Sequence, residues 1–442
     1  MLTTLLDKPE TNRRLVVAPR PPARNPATPK NRTYHAIIDM KGITHQPLEW
    51  IEAELTRLDT LGLCRRLPLR SGPQGVQVTL EGRELTSFGS NDYLGLAADP
   101  RLAAAAAAAA KQEGWGSGAS PLLAGRGHSH HLLEQRLAEF EATEAALVFS
   151  SGFAANIGTI AALVGPGDVV FTDRKNHASL WDGCRLSRAD VRVYPHGDWQ
   201  QLAALLAKPQ KYRRRLIVTD GLFSIDGDLA PLAELADLAK RHGAMLLVDE
   251  AHATGIFGPR GRGVAEQLGV EEGVHVRIGT LSKALGCVGG FVAGSRTLVE
   301  WLVNRARSYV FSTAGPAAAA AAAVAALEII CSEPQRGERL LVRAESLRSE
   351  LAAQGWNVGR SASQIIPIIV GDCRWAVELS DALRQRRLLV PAIRPPTVPE
   401  GEACLRISLT SGHTDEMIAA LLSALGQFRG EKGVRTIFRH EE

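Results

Sequence analysis

Four short segments carry side chains whose types and spacing could do chemistry. The apolar run Ala244-Met245-Leu246-Leu247-Val248 ends in Asp249, with Glu250, Ala251 and His252 behind it. Such a run reads as a buried strand, and open α/β sheets bind ligands at the carboxyl ends of their strands. Read alone, Asp249 could equally cap a helix. Thr280-Leu281-Ser282-Lys283-Ala284-Leu285-Gly286 places a lysine in an apolar turn, with Gly289 and Gly290 soon after. A poorly solvated lysine has a lowered pKa, which is what a Schiff-base amine needs. Phe149-Ser150-Ser151-Gly152-Phe153-Ala154-Ala155-Asn156 runs from a strand through small residues into a helix. Backbone N–H groups at such a helix start can hold a phosphate. His177 follows the apolar run Val169–Thr172 within Asp173–Leu180.

Each segment alone has an ordinary structural reading. A cradle for phosphate, a histidine, a strand-end carboxylate and a desolvated lysine in this chain order are a different matter. They form the layout pyridoxal phosphate requires: a cradle, a ring cover, a partner for the pyridinium nitrogen and a covalent lysine. Three other patterns lead nowhere. Asp249–His252 spells a helicase box, but no Gly-Lys pair exists for a phosphate loop. His128, His130 and His131 lack a spaced ligand partner, so no metal is expected. The glycine cluster Gly258–Gly263 follows no strand.

The elements that must position these residues alternate. Strands are expected at Ala145–Phe149, Val169–Thr172, Val191–Tyr194, Arg215–Thr219, Met245–Val248, Val276–Thr280 and Gly290–Ala293, with helices between most of them. That alternation predicts an α/β fold, a mainly parallel sheet flanked by helices. Pro47–Leu63 has a helical period through Leu48, Ile51, Leu55 and Leu58, and Gly75–Ser87 reads as a hairpin turning at Glu81-Gly82. The Ala103–Ala110 run is a helix interior, and a long helix is expected near Ala317–Ser332. Helix, strand (Ile365–Val370), helix, strand (Leu405–Leu409) and helix then make a smaller α+β tail. The expected divisions are 1–44, a Pro/Arg-rich disordered extension; 45–99, a helix and hairpin segment; 100–332, a large cofactor-binding domain; and 333–442, a C-terminal α+β domain.

Composition narrows the classes further. With 442 residues and 45% hydrophobic residues, the chain can bury a sizeable core. Its small cationic surplus lies in residues 1–41, so the body is near neutral and no nucleic-acid partner is expected. Asp7 and Glu10 argue against a transit peptide. Six scattered cysteines without a CxxC pair favour the cytoplasm, and no apolar stretch is long enough for a membrane span.

Six motifs in fixed order make the chain resemble the α-oxoamine synthases, a family of fold-type I pyridoxal-phosphate enzymes. They are Asn91–Leu96, Ser151–Asn156, Asn176–Ser179, Phe223–Asp228, Asp249–Gly255 and Thr280–Lys283, and the likeness runs from about residue 45 to 428. The family joins an amino acid to an acyl thioester with loss of CO2. The segment Ala392–Pro399 resembles the branch that condenses L-alanine with pimeloyl-CoA, or the acyl-carrier form, to 8-amino-7-oxononanoate in biotin biosynthesis. The alternative is another branch, such as glycine C-acetyltransferase.

The resemblance implies roles. Lys283 would be the covalent lysine and move the α-proton, Asp249 would pair with the pyridinium nitrogen, and His252 would approach the ring hydroxyl. His177 would cover the ring and touch substrate. Gly152, Phe153, Ser224 and Thr280 would surround the cofactor, largely at its phosphate. Thr313, in Phe311-Ser312-Thr313, would reach the phosphate of a neighbouring subunit, which implies a homodimer. Arg65, Asn91, Thr397 and Arg406 fall on the substrate side. Arg406 is expected to hold the alanine carboxylate. Arg394, with its backbone extended before two prolines, and Arg65 are expected to meet the far carboxylate of the pimeloyl chain. Asp220 stands where the family often has glutamate, and Ala119 and Ala253 where it often has glycine.

Overall fold

The structure is a computed structural model that describes residues 47–431 except 62, 66 and 210. The expected extension 1–44 lies outside the described residues. The chain divides into two units, Met1–Leu67 and Pro68–Glu442. In the first, α1 (Glu49–Thr60) occupies the expected helical stretch, but none of its residues is buried, and Leu48 and Leu55 are exposed.

The second unit opens with β1 (Arg70–Ser71), β2 (Gln77–Leu80) and β3 (Arg83–Ser87), followed by α2 (Pro100–Glu113) and α3 (His128–Phe140). Glu81 and Gly82 both have positive φ, the backbone a two-residue hairpin turn demands. The alternating part then runs β4 (Ala145–Phe149), α4 (Gly152–Leu163), β5 (Val169–Asp173), α5 (Ala178–Ser187), β6 (Asp190–Tyr194), β7 (Arg215–Asp220), β8 (Met245–Asp249), β9 (Val276–Thr280) and β10 (Gly290–Gly294). These seven strands form one sheet in the order β4-β10-β9-β8-β7-β5-β6. Pairs among β6, β5, β7, β8 and β9 are parallel, whereas β10 runs antiparallel between β9 and β4. Every residue of β5 and β9 is buried, as are all but the first of β7 and β8. Covering by helices on both faces explains the apolar runs of β5, β7 and β8, while β9 also buries Arg277.

This topology sets the site. Parallel strands end on one edge, so Asp173, Asp220, Asp249 and Thr280 share it. The reversed β10 starts at that edge, with Gly290 opposite Thr280 and Phe149. A Cβ on Gly290 would lie 2.4 Å from the Gly152 nitrogen, so only glycine lets the sheet meet the start of α4.

The helix Ala317–Ser332 spans the expected residues and packs on α2 and α3. The tail holds β11 (Ile365–Gly371), β12 (Leu388–Leu389), β13 (Ala392–Ile393) and β14 (Ala403–Ser408). β11, β14 and β13 form a small sheet, while β12 joins β3 in parallel. The hairpin expected within 45–99 is thus part of a sheet that takes a strand from the tail. Two-residue strands such as β1, β12 and β13 are too short for a period to show. Among the described residues, no single helix is long and apolar enough to cross a membrane.

Candidate active site

Lys283 is half-buried in the turn after β9, between buried Leu281 and Ala284, and its Nζ lies 2.8 Å from His252 Nε2. Burial lowers its pKa to about 8, although the Asp249 and Asp220 carboxylates pull the other way. The other ring nitrogen of His252 lies 2.7 Å from the Tyr93 hydroxyl. Burial, with the charges of Lys283 and Arg406, holds His252 well below its ordinary pKa, so it is neutral. Burial likewise raises Tyr93 and keeps its hydroxyl protonated.

Tyr93 connects this cluster to the substrate side. Arg406 lies in the middle of β14 and is buried, although it is a cation. Its guanidinium donates to the Ser224 carbonyl, to Asn91 Oδ1 at 3.3 Å, to Ser408 Oγ at 2.7 Å and to the Tyr93 hydroxyl at 3.4 Å. These donations satisfy a charge that burial would otherwise penalise.

Asp249 ends β8 beside Asp220 of β7, which is its register partner. Asp249 Oδ1 accepts the Ala251 N–H at 2.9 Å, and Oδ2 accepts an amide N–H of Asn156 at 2.6 Å. Burial and the charge of Asp249 push the Asp220 carboxyl well above the usual carboxylate range. Asp220 Oδ2 still accepts the His177 backbone N–H at 2.7 Å and so fixes the start of α5. His177, the residue before α5, is exposed. Desolvation nonetheless lowers its pKa, and the charges of Asp249 and Lys283 both reach it.

At the head of α4, Ser151 Oγ accepts the Ala154 N–H at 3.0 Å. Gly152 and Phe153 open that helix, where N–H groups have no intrahelical acceptor. Thr280 sits beside them, within 3.5 Å of where a Gly152 Cβ would be, and bonds Ser282 Oγ and the Gly289 carbonyl.

The structure therefore gathers Lys283, His252, Asn91, Ser224 and Arg406 into one connected cluster. Asp249 and His177 lie within electrostatic reach of Lys283. Thr313 is exposed, on a cavity that it lines with Arg126, Ser150 and Ser308. Arg65 is exposed in the first unit. Arg394 is half-buried, and among the described residues its guanidinium makes no hydrogen bond or ion pair. Arg394 follows the strand β13 and precedes a turn centred on Pro395-Pro396. The Thr397 N–H donates to the Arg394 carbonyl at 3.0 Å, and the Pro395–Pro396 peptide is cis. A cis proline brings neighbouring Cα atoms together and folds the chain back.

Tyr93, Asn156, Ser179 and Asp220 belong to the site but had no role assigned from sequence. Asp220 carried a usable signal, since it ends an apolar strand just as Asp249 does. His196, Asp226 and Asp228 cluster at ligand-like distances, but they form an ion-pair network. Lys175 meets Asp226 at 2.8 Å, and Arg360 meets Asp228 at 3.0 Å. Burial opposes charge on His196, yet hydrogen bonds to Asp173 and Asp228 outweigh it and raise its pKa to about 9.

The donor set fits pyridoxal phosphate. A desolvated amine, a strand-end carboxylate, a neutral buried histidine and a free helix N-terminus match the aldehyde, the ring nitrogen, the ring hydroxyl and the phosphate. Comparisons agree. A family model for aminotransferase class I and II matches residues 83–425. The 8-amino-7-oxononanoate synthase of Anaeromyxobacter dehalogenans is 52% identical over 86% of this chain and 95% of its own length. That of Geobacter sulfurreducens is 48% identical over 87% and 99%. Among solved structures, serine palmitoyltransferase of Sphingomonas wittichii superposes with a TM-score of 0.83 at 34% identity, over 88% of this chain and 98% of that one. The 8-amino-7-oxononanoate synthase of Francisella tularensis gives 0.70 at 28%, over 79% and 99%. By these likenesses and by its site, the chain belongs to the class I and II aminotransferase family, among the 8-amino-7-oxononanoate synthases, which use pyridoxal phosphate.

Proposed function

We infer that the chain condenses L-alanine with pimeloyl-CoA, or the pimeloyl form of an acyl carrier protein, to 8-amino-7-oxononanoate, with release of CO2 and the free thiol. The observation that carries this reading is the link from Lys283 through His252 and Tyr93 to Arg406. It sets an amine and a cation suited to a carboxylate at the two ends of one hydrogen-bonded chain. The relatives' shared name supplies the product.

When bound, pyridoxal phosphate supplies an electron sink for the α-carbon of the amino acid. The chain's own groups do the rest. Lys283, with its pKa near 8, is partly neutral at physiological pH and can take or return a proton at that carbon. The Asp249 carboxylate, held by two N–H donors, would keep a proton on the ring nitrogen. Neutral His252 would meet the ring hydroxyl, and the exposed His177 would cover the ring. Gly152, Phe153, Thr280 and Ser224 would hold the phosphate end. Arg406 and Asn91 would orient the alanine carboxylate, and Arg394 and Thr397 the pimeloyl chain.

The active unit is a homodimer in this reading, with Thr313 completing the partner's phosphate site. Its exposure on a cavity beside exposed Phe311 and Val288 supports that role. Six free cysteines and a CoA-thioester substrate suit a cytoplasmic enzyme. The testing experiment is product identification by mass spectrometry with alanine and pimeloyl-CoA. Formation of 8-amino-7-oxononanoate is expected, and turnover only with glycine and acetyl-CoA would overturn the reading. Sedimentation should give a dimer, and a fully active monomer would remove the role of Thr313.

A further inference from the structure

His177 caps α5 with its own ring. Its Nδ1 lies 3.3 Å from the Ser179 backbone N–H and 2.7 Å from Ser179 Oγ. A backbone N–H only donates, so Nδ1 accepts, and the proton of the neutral ring is on Nε2. The Ser179 hydroxyl is itself oriented. Its oxygen lies 2.9 Å from Asn156 Nδ2, which can only donate, so the hydroxyl hydrogen is free to turn toward Nδ1. The same amide nitrogen lies 2.6 Å from Asp249 Oδ2, a carboxylate oxygen that must accept. This pair fixes which way round the amide sits.

Asn156, Ser179 and Asp249 are 2%, 0% and 5% exposed, so water does not compete for these bonds. Asn156 Oδ1 at the other end of the amide is buried and has no hydrogen-bond partner among the described residues. A buried unpaired acceptor is costly. The amide is therefore kept in place by what its nitrogen does, toward Asp249 and Ser179.

We propose that Asn156 and Ser179 are positioning residues that set His177 with its proton on Nε2 and hold Asp249 Oδ2 still, fixing the ring cover and the carboxylate as one unit. The proposal rests on the roles given above to His177 and Asp249. The charged or titratable groups facing His177 are Asp249, Asp182, Asp220 and Lys283.

The test is ¹⁵N-histidine NMR of the full chain, with and without pyridoxal phosphate, using His177→Gln to assign the signal. Wild-type His177 is expected to be a single Nε2–H tautomer. In Ser179→Ala its titration midpoint should rise by roughly half to one pH unit, because a donor to the neutral ring is lost. The kcat should fall about fivefold with the alanine KM within about twofold. Asn156→Ala should move the same signal and weaken cofactor binding about tenfold. An Nδ1–H tautomer in the wild type overturns the proposal. So does an unmoved His177 signal in both variants, even if their melting temperatures drop. Should the expected product fail to form while His177 behaves as described, the assigned reaction fails and the positioning network stands.

Discussion

The cofactor side and the acyl side of this site are built differently. On the cofactor side, Asp249, His252 and Thr280 are buried, and their polar groups are hydrogen-bonded to neighbours on other helices or loops. On the acyl side, Arg394 stands half-buried at the head of a four-residue turn, and Thr397 beside it is exposed. Preorganised donors cost nothing to arrange at the moment of reaction, so the first arrangement suits chemistry. A guanidinium awaiting a partner suits recognition, because its hydrogen bonds are completed only by the right ligand. Changes on the first side should therefore act on kcat, and changes on the second on KM.

The sharpest test of that division is Lys283→Ala. Turnover should fall at least about a thousandfold, because covalent attachment and proton transfer are both lost. The purified variant should also lack the visible absorption of the cofactor-linked lysine. Wild-type turnover would refute the lysine's place at the centre.

Asp249→Asn is expected to keep cofactor but to lose roughly a hundredfold or more in kcat. An amide cannot supply the charge that holds the ring proton, and each tenfold is about 1.4 kcal/mol. A variant with altered KM and intact kcat would break the comparison outright.

Arg394→Ala should raise the KM for pimeloyl-CoA roughly ten- to hundredfold, with alanine binding nearly unchanged. It should also accept uncharged acyl-CoAs such as octanoyl-CoA more readily. If alanine binding collapses and the preference for pimeloyl persists, Arg406 and Arg394 exchange roles.

The smallest effect concerns stability away from both sides. His413 stacks on Phe88 at 4.3 Å, its Nδ1 accepts the Thr410 N–H at 3.0 Å, and its Nε2 meets the Ser87 carbonyl at 3.1 Å. Burial lowers its pKa to about 4 from 6.5. The unfolded chain then binds a proton that the folded one refuses, so stability should fall as pH drops from about 6.5 to about 4. The slope is on the order of 1 kcal/mol per pH unit. Denaturant titrations of His413→Gln should show a flatter profile through that window, and an unchanged slope would reassign the loss to other groups.

Much of this was legible beforehand. The strands β5, β7 and β8 announced themselves because strands covered on both faces carry apolar runs, and β9 did so despite its buried Arg277. Lys283, Asp249 and His177 stood out because each follows such a run. Arg406 was legible only as a substrate-side arginine. That it donates to the Ser224 carbonyl, 182 residues away, follows from no local pattern. Asp220 was passed over as a variant of a family glutamate, and its proximity to Asp249 emerged only when β7 and β8 were in register.

Local chemistry written in the chain determined the element types, the turn at Glu81-Gly82, the helix start at Ser151 and the residues able to do the reaction. Those properties depend on neighbours a few positions away, through period, cap and φ preference. The tertiary structure alone decided which strand ends share an edge. It reversed β10 between two partners, brought β12 to β3, and placed Asn156 against Asp249 across 93 residues. It also set the protonation of the site. Lys283 near 8 and Asp220 far above its usual range are consequences of burial and of charges delivered by other strands. The desolvation of a group is a property of everything packed around it, and no stretch of sequence contains that.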